Sequence, residues 1–181
     1  MIPLDPALAW TVRLVAACLL AVAAGSKMAA LEPFVGVVRN YRLLPPALVR
    51  PAAYAIPPFE LLIAATLLAL PASAFPPAGA ALLLLVFAGA MAVNIARGRS
   101  EIDCGCFVGF MRQRLSWTLV ARNLALAVAL LLAAVGSGGS RATGWLDGVT
   151  VAAGAGSLLL VWAIVGRLFG TAPRARLAEA G

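Results

Sequence analysis

The chain has 181 residues, of which 63% are hydrophobic and only 12% are charged. Soluble domains carry about 25% charged residues, and a chain this short cannot bury so much apolar surface in one core. The composition therefore excludes an ordinary soluble domain and predicts an integral membrane protein. The net charge of +7 does not indicate nucleic-acid binding, because the arginines are scattered between apolar blocks without forming a basic stripe.

Five apolar segments each come close to the roughly 20 residues that a helix needs to cross hydrocarbon. Their interiors are rich in Leu, Ala and Val on all faces, which is typical of helices in contact with membrane lipid. We predict an all-α polytopic transmembrane bundle, with a four-helix core and a fifth, C-terminal helix. The predicted spans are residues 8–30, 52–70, 78–96, 115–135 and 149–169.

The connections between the spans differ in character. A proline-rich turn over residues 71–77 follows the second span, and a Gly/Ser-rich turn over 136–144 follows the fourth. Residues 31–51 are half polar, and we interpret them as an interfacial or re-entrant loop. Residues 170–181 form a short polar tail. We expect the first span to be a retained helix and not a signal peptide, because no basic region precedes it and Asp5 is acidic.

The distribution of Lys and Arg predicts an orientation in the cell membrane. Basic residues follow the first span, separate the third from the fourth and follow the fifth, whereas the opposite side has only Arg13 and Arg141. The positive-inside rule then places the N-terminus outside and the C-terminus in the cytoplasm. If the 31–51 loop crossed the membrane, this count would change and Cys104 would move to the other side.

Polar residues occur at those ends of the first four spans that meet at one membrane face. They are Lys27, Glu60, Asn94, Arg122 and Asn123. Charged groups within a span normally point inward to a partner, so Glu60 is expected to pair with Lys27 or Arg122. A structural ion pair between helices competes with a direct role in chemistry. For the two asparagines, hydrogen bonding between helices is the favoured interpretation.

A Cys-Gly-Cys motif lies at the same face, between the third and fourth spans. Cys104 and Cys106 can form a disulfide or bind a soft metal ion as thiolates. A turn at Gly105 would bring together Cα atoms that lie about 7 Å apart in an extended chain. The small ring would be strained and therefore oxidising. Nearby arginines, including Arg97, would favour a thiolate, whereas Asp103 would oppose it.

Metal binding would need further ligands. Two sulfurs suit Cu(I) or a mercuric ion, but zinc usually takes four protein ligands, and the sequence has no histidine. Additional sulfur could come only from Cys18, Met28, Met91 and Met111. Cys18 lies in mid-span, where we expect a buried, inert thiol. We predict no resident metal site, and two ordinary loop cysteines are the remaining alternative.

Several motifs occur in an order that is more specific than any one of them, over residues 27–135. They are Lys27, Tyr41-Arg42-Leu43-Leu44-Pro45, Pro57-Pro58-Phe59-Glu60-Leu61, Asn94-Ile95-Ala96-Arg97-Gly98-Arg99, Asp103-Cys104-Gly105-Cys106-Phe107, and Trp117 with Arg122-Asn123. This order resembles the MauE family of methylamine-utilisation membrane proteins, within the wider DoxX-like group. One departure is Val108, since the family often has glycine directly after the phenylalanine. The resemblance implies a role in maturing or exporting the disulfide-rich small subunit of methylamine dehydrogenase, although many relatives would serve other exported or redox proteins.

The leading hypothesis is a membrane thiol–disulfide oxidoreductase with Cys104 and Cys106 as its catalytic pair. The polar cluster, together with Arg97 and Asp103, would tune the pair or hold a quinone or a partner protein, in contact with membrane lipid. Similarity to vitamin K epoxide reductase is an analogy of fold only. The alternatives are a carrier for a soft metal ion or small solute and a non-catalytic accessory subunit. A conflict remains, because a donor of disulfides to exported proteins should face the oxidising side, and the charge distribution places the motif in the cytoplasm.

Overall fold

The fold is built from helices that account for most of the chain. The computed structural model describes residues 5–70, 73–106, 113–135 and 144–171, with side chains in the last helix described up to 164 except that of 162. The helices are α1 Pro6–Ala29, α2 Leu31–Tyr41, α3 Pro46–Ala69, α4 Phe75–Ala96, α5 Trp117–Val135 and α6 Trp145–Thr171. The described ranges contain no strand, only an isolated antiparallel bridge between Asp103 and Arg114.

Four of these helices, α1, α3, α4 and α5, are long and apolar enough to cross a membrane. Within the described side chains, α6 has an apolar stretch over Trp145–Val161. The prediction of an all-α transmembrane bundle with four core helices and a fifth C-terminal helix is therefore confirmed. Residues 107–112, the 136–143 turn and the tail from 172 lie outside the described residues.

Small residues let the four core helices pack closely. Helix α4 packs mainly against α5, and α1 packs mainly against α3. Alanines contribute much of the buried contact surface, as is common where transmembrane helices approach one another. The central cluster consists of Ala16, Ala17, Leu20, Ile63, Ala64, Leu67, Ala80, Ala81, Leu84, Ala127 and Leu130. The apolar residues left on the outside of the bundle are available for lipid.

The predicted 31–51 loop contains a helix and the start of another. Its prolines, which favoured a loop, instead mark where α3 begins, because Pro46 occupies the first helical position, where proline is well tolerated. Helix α2 ends at Tyr41, and the following residue, Arg42, caps it in a left-handed conformation with φ of 49°. At 11 residues, α2 is about 16 Å long and too short to cross hydrocarbon of about 30 Å.

Helix α2 packs along the first half of α3. Phe34 and Val35 of α2 are buried against Val49 and Ala53 of α3. On the exposed side Glu32 forms an ion pair with Arg50 at 2.5 Å. This support matters because α3 has three internal prolines, each of which removes a backbone hydrogen bond.

Arg13 is a buried arginine that links α1 to the end of α3, a role that its charge alone did not indicate. Its side chain is buried in the bundle and donates hydrogen bonds to the carbonyl oxygens of Leu70 at 3.2 Å and Ser73 at 2.7 Å. These carbonyls follow the last turn of α3, where a helix leaves acceptors unsatisfied. Arg13 therefore holds the connection between α3 and α4 against α1.

Candidate functional site

The connection between α4 and α5 folds back over the helix ends. The Cys104 N–H donates to the Gln113 carbonyl at 2.8 Å, and the Leu115 N–H donates to the Ile102 carbonyl at 3.1 Å. These two bonds flank the bridge between Asp103 and Arg114. The short pairing fixes the position of the segment that contains both cysteines.

Gly105 makes the turn between the two cysteines. Its φ is +76°, in the left-handed region that residues with a Cβ rarely adopt. A Cβ added there would also lie 2.8 Å from Cγ1 of Val37 on α2. Glycine is therefore required twice, for its backbone conformation and for the close approach of the loop to α2.

The C-terminal end of α2 contacts the cysteine loop and fixes its position. The Tyr41 hydroxyl donates to the carbonyl oxygen of Cys104 at 2.9 Å. Arg99 donates from one nitrogen to the Asn40 carbonyl at 2.6 Å and from another to the side-chain oxygen of Asn94 at 3.1 Å. Burial, followed by the two cysteines and Asp103, raises the pKa of Tyr41, so its hydroxyl stays protonated as a donor.

The two cysteines are free thiols in unequal surroundings. Cys104 is buried and Cys106 is half-buried, and the Cys106 N–H donates to Sγ of Cys104 at 3.4 Å. A hydrogen bond from the Cys104 thiol, together with the charges of Lys27 and Arg122, lowers the pKa of Cys106 to about 7 despite burial. The same hydrogen bond and burial raise the pKa of Cys104 well above its usual value. Cys106 is therefore the more readily deprotonated of the two thiols, and Cys104 is its hydrogen-bond donor.

A buried ion pair joins α1 to α3 beneath Cys106. The Lys27 ammonium contacts the Glu60 carboxylate, and both side chains are almost fully buried. Lys27 Nζ also lies 5.5 Å from the ring centroids of Phe34 and Phe87, at the distance of a cation–π contact. Among the described residues, the second carboxylate oxygen of Glu60 has no hydrogen-bond partner.

A small cavity connects this ion pair to Cys106. Its volume is about 40 Å³, which is enough for a water molecule. The polar side chains around it are Lys27, Glu60, Cys106, Arg122 and Asn123. With Cys106 as thiolate, two positive and two negative charges surround the cavity, and their sum is zero. The arrangement can stabilise a thiolate and exchange a proton with it.

In the described part of the chain, the other predicted site residues, Asn94, Asn123 and Arg97, do not form hydrogen bonds to the cysteines. The amide nitrogens of Asn94 and Asn123 donate to carbonyls one turn earlier in their own helices, those of Ala90 and Leu119. Arg97 is exposed at the C-terminal cap of α4. The cations that act on Cys106 are Lys27 and Arg122, which approach from other helices.

The sequence did not predict the contributions of Tyr41 and Val37, and it indicated Arg99 only as a nearby positive charge within a motif that carried the family resemblance. Tyr41 belonged to a motif that carried the family resemblance, which was its only signal in the sequence. Within the described residues no group of three or more His, Cys, Asp or Glu side chains could hold a metal ion. Cys18 is half-buried in α1.

The long apolar helices and the paired thiols define a multi-pass helical membrane protein with a dithiol loop over its polar core. The family model described as "Methylamine utilisation protein MauE" matches residues 5–136, and this chain belongs to the MauE family. No solved structure gives a significant match.

Three relatives, each called a methylamine utilization protein MauE, are similar over most of their length. The protein from Paracoccus denitrificans is 40% identical over 158 residues, which are 87% of this chain and 85% of the relative. The protein from Methylorubrum extorquens is 45% identical over 163 residues, covering 90% and 82%. The protein from Paracoccus versutus is 45% identical over 151 residues, covering 80% and 81%.

Gly105→Ala should release the cysteine loop from α2. The added Cβ is disfavoured by the left-handed backbone, which costs about 1 kcal/mol, and it also meets Val37. Gly98→Ala is the matched control, since Gly98 has a φ of +73° and open space around its Cα. We expect G105A to lower the midpoint of thermal unfolding in detergent more than G98A and to speed alkylation of Cys104. Equal effects of the two changes would contradict the contact with Val37.

The alkylation rate of Cys106 should rise through a midpoint near pH 7, because only the thiolate reacts and the pKa of Cys106 is lowered to about 7. Glu60 opposes this lowering, so Glu60→Gln should move the midpoint to lower pH. Glu32→Gln, which changes an exposed carboxylate, should leave it unchanged. The measurement is peptide-resolved mass spectrometry after brief iodoacetamide pulses. A wild-type midpoint at the ordinary thiol value of about 8.5 would contradict this electrostatic account.

Proposed function

We propose that Cys104 and Cys106 form a redox pair that introduces disulfides into a partner protein of methylamine utilisation. The observation that carries the proposal is the unequal dithiol, with a buried hydrogen-bond donor in Cys104 and a more accessible, electrostatically stabilised Cys106. The names of the relatives support the pathway. The family resemblance suggests the disulfide-rich small subunit of methylamine dehydrogenase as the partner.

The reaction is an exchange in which atoms and electrons balance. A thiolate of the partner attacks Cys106 in the Cys104–Cys106 disulfide and forms a mixed disulfide, with Cys104 leaving and taking up a proton. A second thiol of the partner then attacks the partner's own sulfur in that bond and releases the Cys106 thiolate. The partner loses two electrons and gains a disulfide, and the pair returns to its reduced form.

The buried charges favour this direction. Lys27 and Arg122 stabilise the Cys106 thiolate and therefore the reduced form of the pair, and a disulfide whose reduced form is stabilised is a stronger oxidant. When the disulfide forms, the thiolate charge disappears, and the cluster around the small cavity has an excess of one positive charge unless it also releases a proton. The polar cluster thus acts on the redox potential without forming a covalent bond to the partner.

Cys104→Ser should trap the partner. The remaining Cys106 thiolate can attack a disulfide of the oxidised partner and form a mixed disulfide, with the partner's second sulfur leaving as a thiol, and no Cys104 is left to displace it. We expect a covalent adduct on non-reducing gels that disappears with reductant, is absent in Cys106→Ser, and is unaffected by Cys18→Ser. Mass spectrometry of the adduct identifies the partner.

A second function is favoured by one further observation. Met91 is buried in the same cluster as Cys104, with Cys106 packed against it, so a third sulfur lies beside the pair. Thiolates and a thioether suit Cu(I). Absence of the Cys104→Ser adduct, together with one Cu(I) bound per chain and weaker binding in Met91→Leu, would replace the redox proposal with a soft-metal carrier.

From the charge distribution we also propose that the cysteine loop faces the cytoplasm. Helices α1, α3, α4 and α5 cross in succession, so the loop shares its side with the α1–α3 connection, where Arg39, Arg42 and Arg50 lie. A membrane-impermeant maleimide should then label Cys106 in inverted vesicles but not in intact cells. Labelling in intact cells would place the pair on the exporting side, where it could meet an exported partner directly.

A further inference from the structure

A second, larger cavity lies on the other side of the cysteine loop. Its volume is about 280 Å³, near the lower end of small-molecule sites. Most of its wall comes from one face of α2 with Phe34 and Val37, from one face of α4 with Val86 and Ala90, and from the cysteine loop. The lining is apolar apart from Lys27, Tyr41 and the two cysteines.

The cavity is placed to open toward the lipid. Helix α2 packs mainly on α3, and α4 packs mainly on α5, so the gap between α2 and α4 is not closed by direct helix packing. Val86, about midway along the membrane-crossing α4, stands at this edge with 58% of its surface exposed. Leu43 and Leu44, which follow α2, are also part of the lining and 40% exposed. A ligand that arrives through the bilayer can therefore reach the cysteines without crossing water.

We propose that this cavity binds the ring of a lipid-soluble quinone, which re-oxidises the Cys104–Cys106 pair. The inference rests on the proposed redox function and names its electron acceptor. The pair must give up two electrons after each turnover, and the acceptor has to fit an apolar site and arrive from lipid. Quinones form a class of apolar, planar molecules that accept two electrons together with two protons.

The step balances with groups that line the cavity. The Cys106 thiolate and the Cys104 thiol form a disulfide and pass two electrons to the quinone. One proton for the quinol comes from the Cys104 thiol and the other from the Lys27 ammonium, which borders both cavities. The charge sum around Lys27, Glu60, Arg122 and Cys106 is zero before the step, and the loss of one proton from Lys27 keeps it at zero afterwards. Lys27 would regain this proton when the thiolate is regenerated.

The test uses the purified, reduced full-length chain in detergent and a short-chain ubiquinone, without oxygen. We expect one quinone reduced per chain, measured from its absorbance, with loss of two free thiols. Ala90→Phe fills the cavity and should slow quinone reduction at least tenfold while exchange with a small aromatic disulfide stays at the wild-type rate. Val86→Trp narrows the exposed edge and should act in the same direction if Ala90→Phe does not fold. Leu82→Trp, on an exposed position of α4 one turn earlier, is the matched control and should have no effect.

The outcomes separate this inference from the proposed function. If Cys104→Ser traps a partner but the wild-type chain leaves the quinone oxidised, the redox function stands and the cavity holds only lipid acyl chains. If quinone is reduced at the same rate in wild type, Ala90→Phe and Val86→Trp, the quinone reacts elsewhere and this site is wrong. If neither the adduct nor quinone reduction is seen, the proposed redox function itself fails.

Discussion

The ion pair between Lys27 and Glu60 is the interaction on which the rest of the site depends. Each charge, placed alone between apolar helices, would cost several kcal/mol of desolvation, so each side chain offsets the cost of burying the other. The pair joins α1 to α3, and Arg122 of α5 lines the same small cavity. Together Lys27, Glu60 and Arg122 carry one excess positive charge, which a thiolate at Cys106 can balance. The charges of the core therefore stabilise a negative group at the position of Cys106, which the cysteine loop provides as a thiolate.

The loop reaches that position because α2 provides a surface for it. Tyr41 bonds the Cys104 carbonyl, Arg99 bonds the end of α2, and Val37 accepts only a glycine at 105. A flexible loop would hold Cys106 over the cluster for only part of the time, and ordering its backbone costs about 1–2 kcal/mol per residue. The short helix α2 and the pairing of residues 102–104 with 113–115 offset part of that cost. The reactivity of Cys106 is thus coupled to a helix that contributes no charged group to the cluster.

The features that could be predicted from the sequence are those set by composition and by the antiparallel order of the spans. Apolar length indicated the spans, and antiparallel connectivity placed Lys27, Glu60 and Arg122 at one face. The choice of Lys27 as the partner of Glu60, one of two candidates, came from the structure. Helix α2 was not predicted, because Pro45 and Pro46 are as consistent with a loop as with a helix start. The bond from Tyr41 to the Cys104 carbonyl joins residues 63 apart, and no periodicity in the sequence encodes it.

Two residues connect the parts of the site that differ in chemistry. Cys106 and Lys27 each border both the small polar cavity and the large apolar one, so in the proposed reaction the group that changes its redox state and the group that gives up a proton are shared between them. Electron transfer on the apolar side and charge balance on the polar side then cannot be independent. A change that alters the charge of the small cavity, such as the loss of the Glu60 carboxylate, must also alter the driving force of any reaction at the larger one. In the proposed reaction this coupling gives the costly buried ion pair a role that an apolar pair of the same size could not fill, although an apolar pair would give the helices a more stable contact.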